Sequence, residues 1–402
     1  MLRFAFTALF VTVLAVSPAQ AAQTAQTVLA DAAPQDPNQQ TFLAGVQAIR
    51  SGAYAAAVVI LDALADRTGS PRVRLELARA LYLDGRFRRA RREFYKVYAQ
   101  KDLPYAVRRT IDVYLADIDQ RAGYVEPRVG VAFDTNPGQV ASTGVYDLFG
   151  VPLTFKRTAG ADSPGLTFDV PFAATLNARG LSVVGAVDGE AYTRRGASSI
   201  AATGGLRLTE PGLKGWYEAG ASVYKRDRGL EVATVFVARS RRFALSGGRQ
   251  LILTGEVARN QFNPRPELDG FAFQAGGEYD FDVARDVSIA AMAQGVYATA
   301  RYPVDTRRTG LVGAEMVLAA PRLNKHVLLD LTGSLTGYGA PDPFFGRTRR
   351  DLVGRAQLTV LNGTPFKGLF PGVSVAVERN DSSIPFYSYV RKSVRFELRR
   401  RF

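Results

Sequence analysis

Cysteine is absent from all 402 residues. A chain without it forms no disulfide, offers no thiolate to zinc and has no thiol nucleophile. Histidine occurs once, at His326, which argues against most metal sites and against histidine-based triads. Composition leaves an aspartate, serine or lysine enzyme formally open, but no pairing of such residues recommends one, and no cofactor is implied. His326 opens a strand-like segment and reads as a rim residue. Long apolar runs are missing too. Past the amino terminus nothing approaches about eighteen uninterrupted apolar residues, so no helical membrane anchor is expected.

What is present begins with Met1-Leu2-Arg3, an apolar run over residues 4–16 and Ser17-Pro18-Ala19-Gln20-Ala21. A charged start, a short hydrophobic core and an A-x-A site read as a secretory signal, residues 1–21. Residues 22–40 follow as a linker. The net charge of +14 ordinarily raises nucleic acid, membrane surfaces or acidic partners. For a secreted chain nucleic acid drops out, leaving outer-membrane lipid, lipopolysaccharide phosphates and anionic passengers. Most of the arginines are expected to solvate a barrel interior and its rims.

Residues 386–402 carry the strongest pattern. Val390, Val394, Phe396, Leu398 and Phe402 share one parity; Tyr389, Arg391, Ser393, Arg395, Glu397, Arg399 and Arg401 share the other. Period-two alternation means a strand with two unlike faces. An apolar face on lipid and a charged face on a watery lumen fit so long and charged a strand. Lys392 and Arg400 break the parity, so they belong near the rims, where long cations snorkel. Similar alternation recurs from Glu126 onward in about fourteen segments of strand length. Val327, Leu329, Leu331 and Leu335 oppose Leu328, Asp330, Thr332, Ser334 and Thr336, and Tyr217, Ala219, Ala221 and Val223 oppose Glu218 and Ser222. Short connectors (residues 177–180, 210–213 and 321–324) alternate with longer ones (137–163, 261–269 and 340–345), as short periplasmic turns alternate with external loops. Asn362-Gly363-Thr364 and Asn380-Asp381-Ser382 match a glycosylation triplet but read as turns. Trp216, Tyr224, Tyr297, Tyr302, Tyr338 and Phe402 fall near segment ends, where interfacial girdles are expected. A barrel of this size should keep some lumen, open or plugged by the long first loop or by inward charged side chains.

Residues 41–122 are helical in pattern. Gly52 and Gly85, like Tyr54 and Phe87, recur at one interval, close to the ~34-residue period of tetratricopeptide helix pairs. In that reading the glycines turn the chain, and Tyr54, Ala57, Phe87, Ala90 and Phe94 lock the second helix of each pair onto the first. A third helical segment, residues 104–121, would cap the array. Such pairs offer a concave face to a peptide or partner protein, or act as a plain spacer. Arg86, Arg88, Arg89, Arg91 and Arg92 spread over more than one helix face and read as solvated surface.

The expected architecture is therefore α + β membrane: a short tetratricopeptide-like helical domain in the periplasm, then a transmembrane antiparallel barrel over residues 123–402. That order, with a barrel opening on Val131-Ala132-Phe133-Asp134-Thr135-Asn136 and closing on Glu378-Arg379-Asn380-Asp381-Ser382-Ser383-Ile384-Pro385-Phe386-Tyr387-Ser388-Tyr389-Val390-Arg391, resembles the surface lipoprotein assembly modulator (Slam) family. Residues 74–85 and Arg91-Arg92-Glu93-Phe94 resemble it too. The helical part, about two repeats, is shorter than the domain of well-known members. The resemblance implies a fourteen-stranded outer-membrane barrel, about the count read from the alternation, that helps lipoproteins or soluble binding proteins cross the membrane. Its partners would be the passenger, the surrounding lipid and the barrel assembly machinery, the barrel acting as a monomer. A terminal aromatic, Phe402, looks like the assembly signal of such barrels. Asp134, Asn136, Asn380, Asp381, Tyr387, Tyr389, Arg391 and Arg395 are candidates for a lumenal hydrogen-bond network or a lateral seam. Asp134, Asn136, Asn380 and Asp381 also read as plain turn formers. Polysaccharide export is an alternative, since Arg391, Arg395, Arg399 and Arg401 would suit an anionic polymer, though such exporters carry far longer repeat arrays. A small-anion porin is another, and it leaves the helices without a task.

Overall fold

The computed structural model describes residues 36–400, apart from 99, 101–102, 141–143, 149–150, 156–162, 177–179, 194–196, 211–213, 228, 230, 247–248, 285, 321–322 and 364–368. The expected signal segment, most of the expected linker, residues 177–179 of an expected short connector, Arg401 and Phe402 lie outside the described residues.

The chain divides into two compact units at Asp84/Gly85. The first holds α1 (Pro37–Arg50), α2 (Tyr54–Thr68) and α3 (Pro71–Leu83). Helix begins four residues before the expected Thr41 because Pro37 occupies the first turn, where its missing N–H costs nothing, and Asp36 caps it by accepting from Asn38 N at 3.0 Å. Leu61, Leu64, Leu77, Ala78 and Leu81 are buried between these helices. Gly52 and Gly85, the repeated pair, have φ of 79° and 76°, a left-handed turn that a Cβ opposes. Tyr54 and Phe87 each open the helix that follows.

The second unit starts with α4 (Phe87–Tyr98) and α5 (Tyr105–Ala122). Ala90, Phe94 and Val97 form the buried face of α4, and Phe94 stacks on Tyr114 with ring centroids 5.1 Å apart. Strands follow: β1 (Tyr124–Val125), β2 (Arg128–Asp134), β3 (Gly144–Leu148), β4 (Val151–Phe155), β5 (Ser163–Thr175), β6 (Leu181–Tyr192), β7 (Ser199–Thr209), β8 (Gly215–Arg226) and β9 (Glu231–Ala244). Then come β10 (Gln250–Asn263), β11 (Gly270–Ala284), β12 (Val287–Ala298), β13 (Arg307–Ala320), β14 (Lys325–Pro341), β15 (Thr348–Asn362), β16 (Phe370–Ser382) and β17 (Tyr389–Arg399). β3 and β4 form a separate hairpin within the first long loop. The other 15 form one sheet. With β1 set aside as a two-residue side strand on β5, the remaining 14 pair antiparallel with their neighbours and close on themselves through β17 and β2. Closure removes the free edges that a lipid-immersed sheet could not hydrate.

Parity assigns the faces. On β11, Phe271, Phe273, Ala275, Gly277, Tyr279, Phe281 and Val283 share one parity, and Phe271, Phe273 and Val283 are exposed. Such an apolar outer band suits hydrocarbon. Arginines stack on outward aromatics at both of its ends. Arg239 lies over Tyr217 (4.0 Å) and Arg241 over Phe243 (5.4 Å) at one; Arg259 lies over Phe271 (5.4 Å) and Arg308 over Tyr297 (5.6 Å) at the other. These pairs mark rims where a ring sits at the interface and a guanidinium reaches water. Trp216, Tyr224 and Tyr338 instead take the inward parity, shared with Glu218 and Asp330, and so stand in the lumen. Tyr302 sits exposed in a loop.

α4 and α5 attach at one end of the barrel, here the helix end. Tyr98 meets Phe370 edge-on at 6.0 Å, and Arg108 donates to Gly363 O at 3.5 Å. Arg91 Nη2 donates to Asp119 Oδ1 (2.5 Å) and to Gly123 O (2.6 Å), fastening α4 to the junction where α5 becomes β1. Gly123 has φ 74°, and a Cβ there would meet Ala173 O at 2.2 Å. Gly123→Ala is therefore expected to destabilise the barrel by about 1–3 kcal/mol, read as a lowered urea midpoint for the protein folded in lipid vesicles; an unchanged midpoint would remove this junction from the fold's requirements.

Candidate functional site

The inward faces of β2, β6, β16 and β17 meet at the barrel's loop end, opposite the helices. β2 has 7 residues, against 11 to 17 for the other barrel strands, and it ends on Asp134. That carboxylate is buried. Its Oδ1 accepts from Asn136 N (2.7 Å), an Asx turn that bends the chain inward, and its Oδ2 accepts from Arg391 Nε (2.6 Å). Arg391 Nη2 also donates to Glu190 Oε2 (3.0 Å) and to Tyr192 Oη (3.3 Å). Arg395 Nη2 reaches Glu190 Oε1 at 3.4 Å. One guanidinium thus joins the last strand to the first and to β6.

Asn136 is fully buried. Its amide donates to Val140 O (2.9 Å) and Val390 O (3.3 Å), and its Oδ1 accepts from Val140 N (3.0 Å). The first loop is thereby pinned against β17. Gln139, at φ 52°, then places its amide 3.1 Å from Glu378 Oε1, and Arg226 donates to Pro137 O at 3.4 Å. Residues 136–140 therefore fold over the inside of the mouth. Tyr389 donates to Glu378 Oε1 at 2.8 Å, and Arg355 lies 3.6 Å from its Oε2.

The network unites Asp134, Asn136, Tyr389, Arg391 and Arg395. Asn380 is also inward and buried, and donates to Tyr387 O at 2.8 Å. Tyr387 belongs to the loops. It lies in a 3-10 turn (Pro385–Tyr387), donates to Asp342 Oδ2 (2.8 Å) and carries Arg349 over its ring at 3.6 Å. Burial first, then the bond to Asp342 and the charge of that carboxylate, push the Tyr387 hydroxyl up to about 12, so it stays a donor near neutral pH. Asp381 is not in the lumen. It shares the outward parity of Val373, Val375 and Val377 and pairs with Arg379 at 2.8 Å on the outer rim, because alternation sends adjacent residues to opposite faces. Glu190, Tyr192, Glu378 and Gln139 were not singled out from the sequence. The parity of Val184, Asp188, Glu190 and Tyr192 on β6 was the available signal.

The rest of the lumen is divided by charge. Glu256, Glu278, Asp280, Glu315 and Asp330 take inward positions on β10, β11, β13 and β14; Arg355, Arg391, Arg395 and Arg399 do so on β15 and β17. The basic side is largely neutralised in place, with Arg399 3.6 Å from Glu397 and Arg391 held by two carboxylates. His326 is inward and buried near the helix end of β14. Of the basic run that begins just before α4, Arg91 turns in to Asp119, while Arg86, Arg88 and Arg92 are exposed.

No family model matches the chain, and no curated protein matches it. Solved structures do. The outer membrane channel DcaP of Acinetobacter baumannii is 11% identical, with 69% of this chain and 97% of that one covered and a TM-score of 0.37. A bacterial polysaccharide outer membrane secretin is 10% identical, covers 69% and 98%, and scores 0.37. An anion-selective porin from Comamonas acidovorans is 9% identical, covers 69% and 98%, and scores 0.35.

Arg391→Ala leaves the Asp134 carboxylate buried without a cation, a change that ordinarily costs about 3–5 kcal/mol. Urea unfolding from vesicles should show a loss near the lower bound, since Arg391 keeps some access to lumenal water. A D134N/R391M double variant should recover part of it. Equal stability of Arg391→Ala and the parent chain would show that the pair does not fasten the seam.

Proposed function

We propose that this protein is an outer-membrane translocator that passes or displays a polypeptide passenger delivered from the periplasm. The observation that carries the reading is the closed barrel with an apolar outer band, aromatic–arginine rims and a polar lumen of both charge signs. Barrels of this construction are at home in outer membranes. The helix end faces the periplasm and the longest loop faces out, as in bacterial barrels generally.

The passenger is inferred from the lumen and the helices. A polymer of one charge sign gains little from a basic wall whose Arg391, Arg395 and Arg399 already face Asp134, Glu190 and Glu397. A polypeptide, carrying both signs, suits walls of both signs. The helices before the barrel, with repeated turns at Gly52 and Gly85, supply the surface that would receive it, and the Slam-like order of modules supports the same reading. The mechanism requires no catalytic group.

Protease shaving of intact cells, with surface proteomics in the presence and absence of the gene, should show selective loss of one or a few proteins, retained in the periplasm. An unchanged protein surface would sink the proposal. The opposed acidic and basic walls also favour a second reading, a solute channel. Under it, the purified barrel conducts in planar bilayers, and E315Q/D330N shifts its selectivity toward anions; a non-conducting barrel removes that reading.

A further inference from the structure

The outer face carries a feature that neither the lumen nor the helices use. Barrel walls are convex toward lipid, yet across β2, β17 and their neighbours this one is hollowed into a cavity of about 800 Å³. Val131, Leu166 and Phe168 line one side, and Val360, Val373 and Phe396 the other, all on outward parity. Gly130 and Gly372 pass along its floor. The hollow lies toward the helix end, as the register Val131↔Phe396 and Val360↔Val373 places it among the first residues of β2 and β16 and the last of β15 and β17. Its helix-end edge is polar. Lys325 and Asn362, paired neighbours on β14 and β15, take the outward parity there, with Lys325 Nζ donating to Asn362 Oδ1 at 3.3 Å. An ammonium has three donors, so two remain for another acceptor.

We propose that this hollow is a binding site for one phospholipid of the membrane leaflet at the helix end, its acyl chain in the apolar groove and its phosphate on Lys325. The inference rests on the reading of the barrel as a membrane protein. Water is the poorer occupant, because the walls give it almost no hydrogen-bond partners, whereas hydrocarbon is the surrounding solvent. The cation at the edge selects a molecule that is apolar at one end and anionic at the other. The place has a consequence. The groove straddles β2 and β17, where the first and last strands join through the shortest strand of the barrel, so an occupant packs against both sides of that seam.

Native mass spectrometry of the purified full chain in detergent, with added phosphatidylglycerol or the matching diacylglycerol, tests it. The parent chain should retain one phosphatidylglycerol. Val373→Trp, which fills the groove, should reduce retention at least fivefold, whereas Val235→Trp, equally outward on β9, should leave it unchanged. Lys325→Gln should lower retention of phosphatidylglycerol but not of diacylglycerol. Heat-modifiable gel mobility establishes that each variant is a folded barrel. Equal retention by the two tryptophan variants, or full retention of phosphatidylglycerol by Lys325→Gln, overturns the proposal. Because no passenger is present, lipid retention and the surface-proteomics result can fail independently.

Discussion

Everything in this barrel depends on pairing the last strand with the first. Inside hydrocarbon an unpaired N–H or C=O costs several kcal/mol, so a sheet can cross a membrane only if it has no edge. β17 and β2 meet that demand with a ladder limited by the 7 residues of β2. The remaining strength of the seam comes from side chains. Arg391 and Asp134 bridge it from the lumen, and the Asn136 side-chain amide donates a hydrogen bond to Val390 O on β17. A short ladder with a polar clasp differs from the longer ladders elsewhere, whose strands run 11 to 17 residues. Hydrogen bonds and charge in a half-wet lumen respond to whatever polar group enters, while the packing of Val, Leu and Phe against lipid does not.

Closure also decides where charge goes. Once one face of every strand is committed to lipid, each Asp, Glu and Arg between the rims must take the other, and the lumen becomes crowded with groups that cannot be left unpaired cheaply. The result is cross-strand neutralisation, as in Arg207 and Glu218, paired neighbours on β7 and β8 at 2.9 Å. Where the partner is another acid, as with Glu315 opposite Asp330, the wall keeps a net field. The positive charge of the whole chain therefore says little about the lumen. Much of it sits on rims and on α4.

The fold was legible because period two is a strong signal over strands this long. β14 and β17 could be divided into faces from their residues alone, and the structure keeps those faces. Single aromatics were less legible. Trp216, Tyr224 and Tyr338 lie near strand ends, which suggested a girdle, but a residue's face is set by parity and not by height, and all three share parity with lumenal acids. Asp381 went astray for the same reason, one step from Asn380. The partners that complete the network, Glu190, Tyr192 and Glu378, lie far from Arg391 in sequence or on a neighbouring strand, and only strand order and register bring them together. No local pattern encodes that.

The helices show where sequence and tertiary structure part. The repeated glycine–aromatic turns at Gly52 and Gly85 suggest a uniform array, yet the compact units divide at the second turn. Arg91 and Gly123 account for this. A guanidinium that bonds both Asp119 and the carbonyl ending α5, beside a glycine whose Cβ would crowd Ala173 O, commits α4 and α5 to the strands that follow them. Arg108 and Tyr98 extend that commitment to Gly363, just past the end of β15, and to Phe370, which opens β16, the strand that pairs with β17. The last two helices thus pack against a strand one removed from the seam.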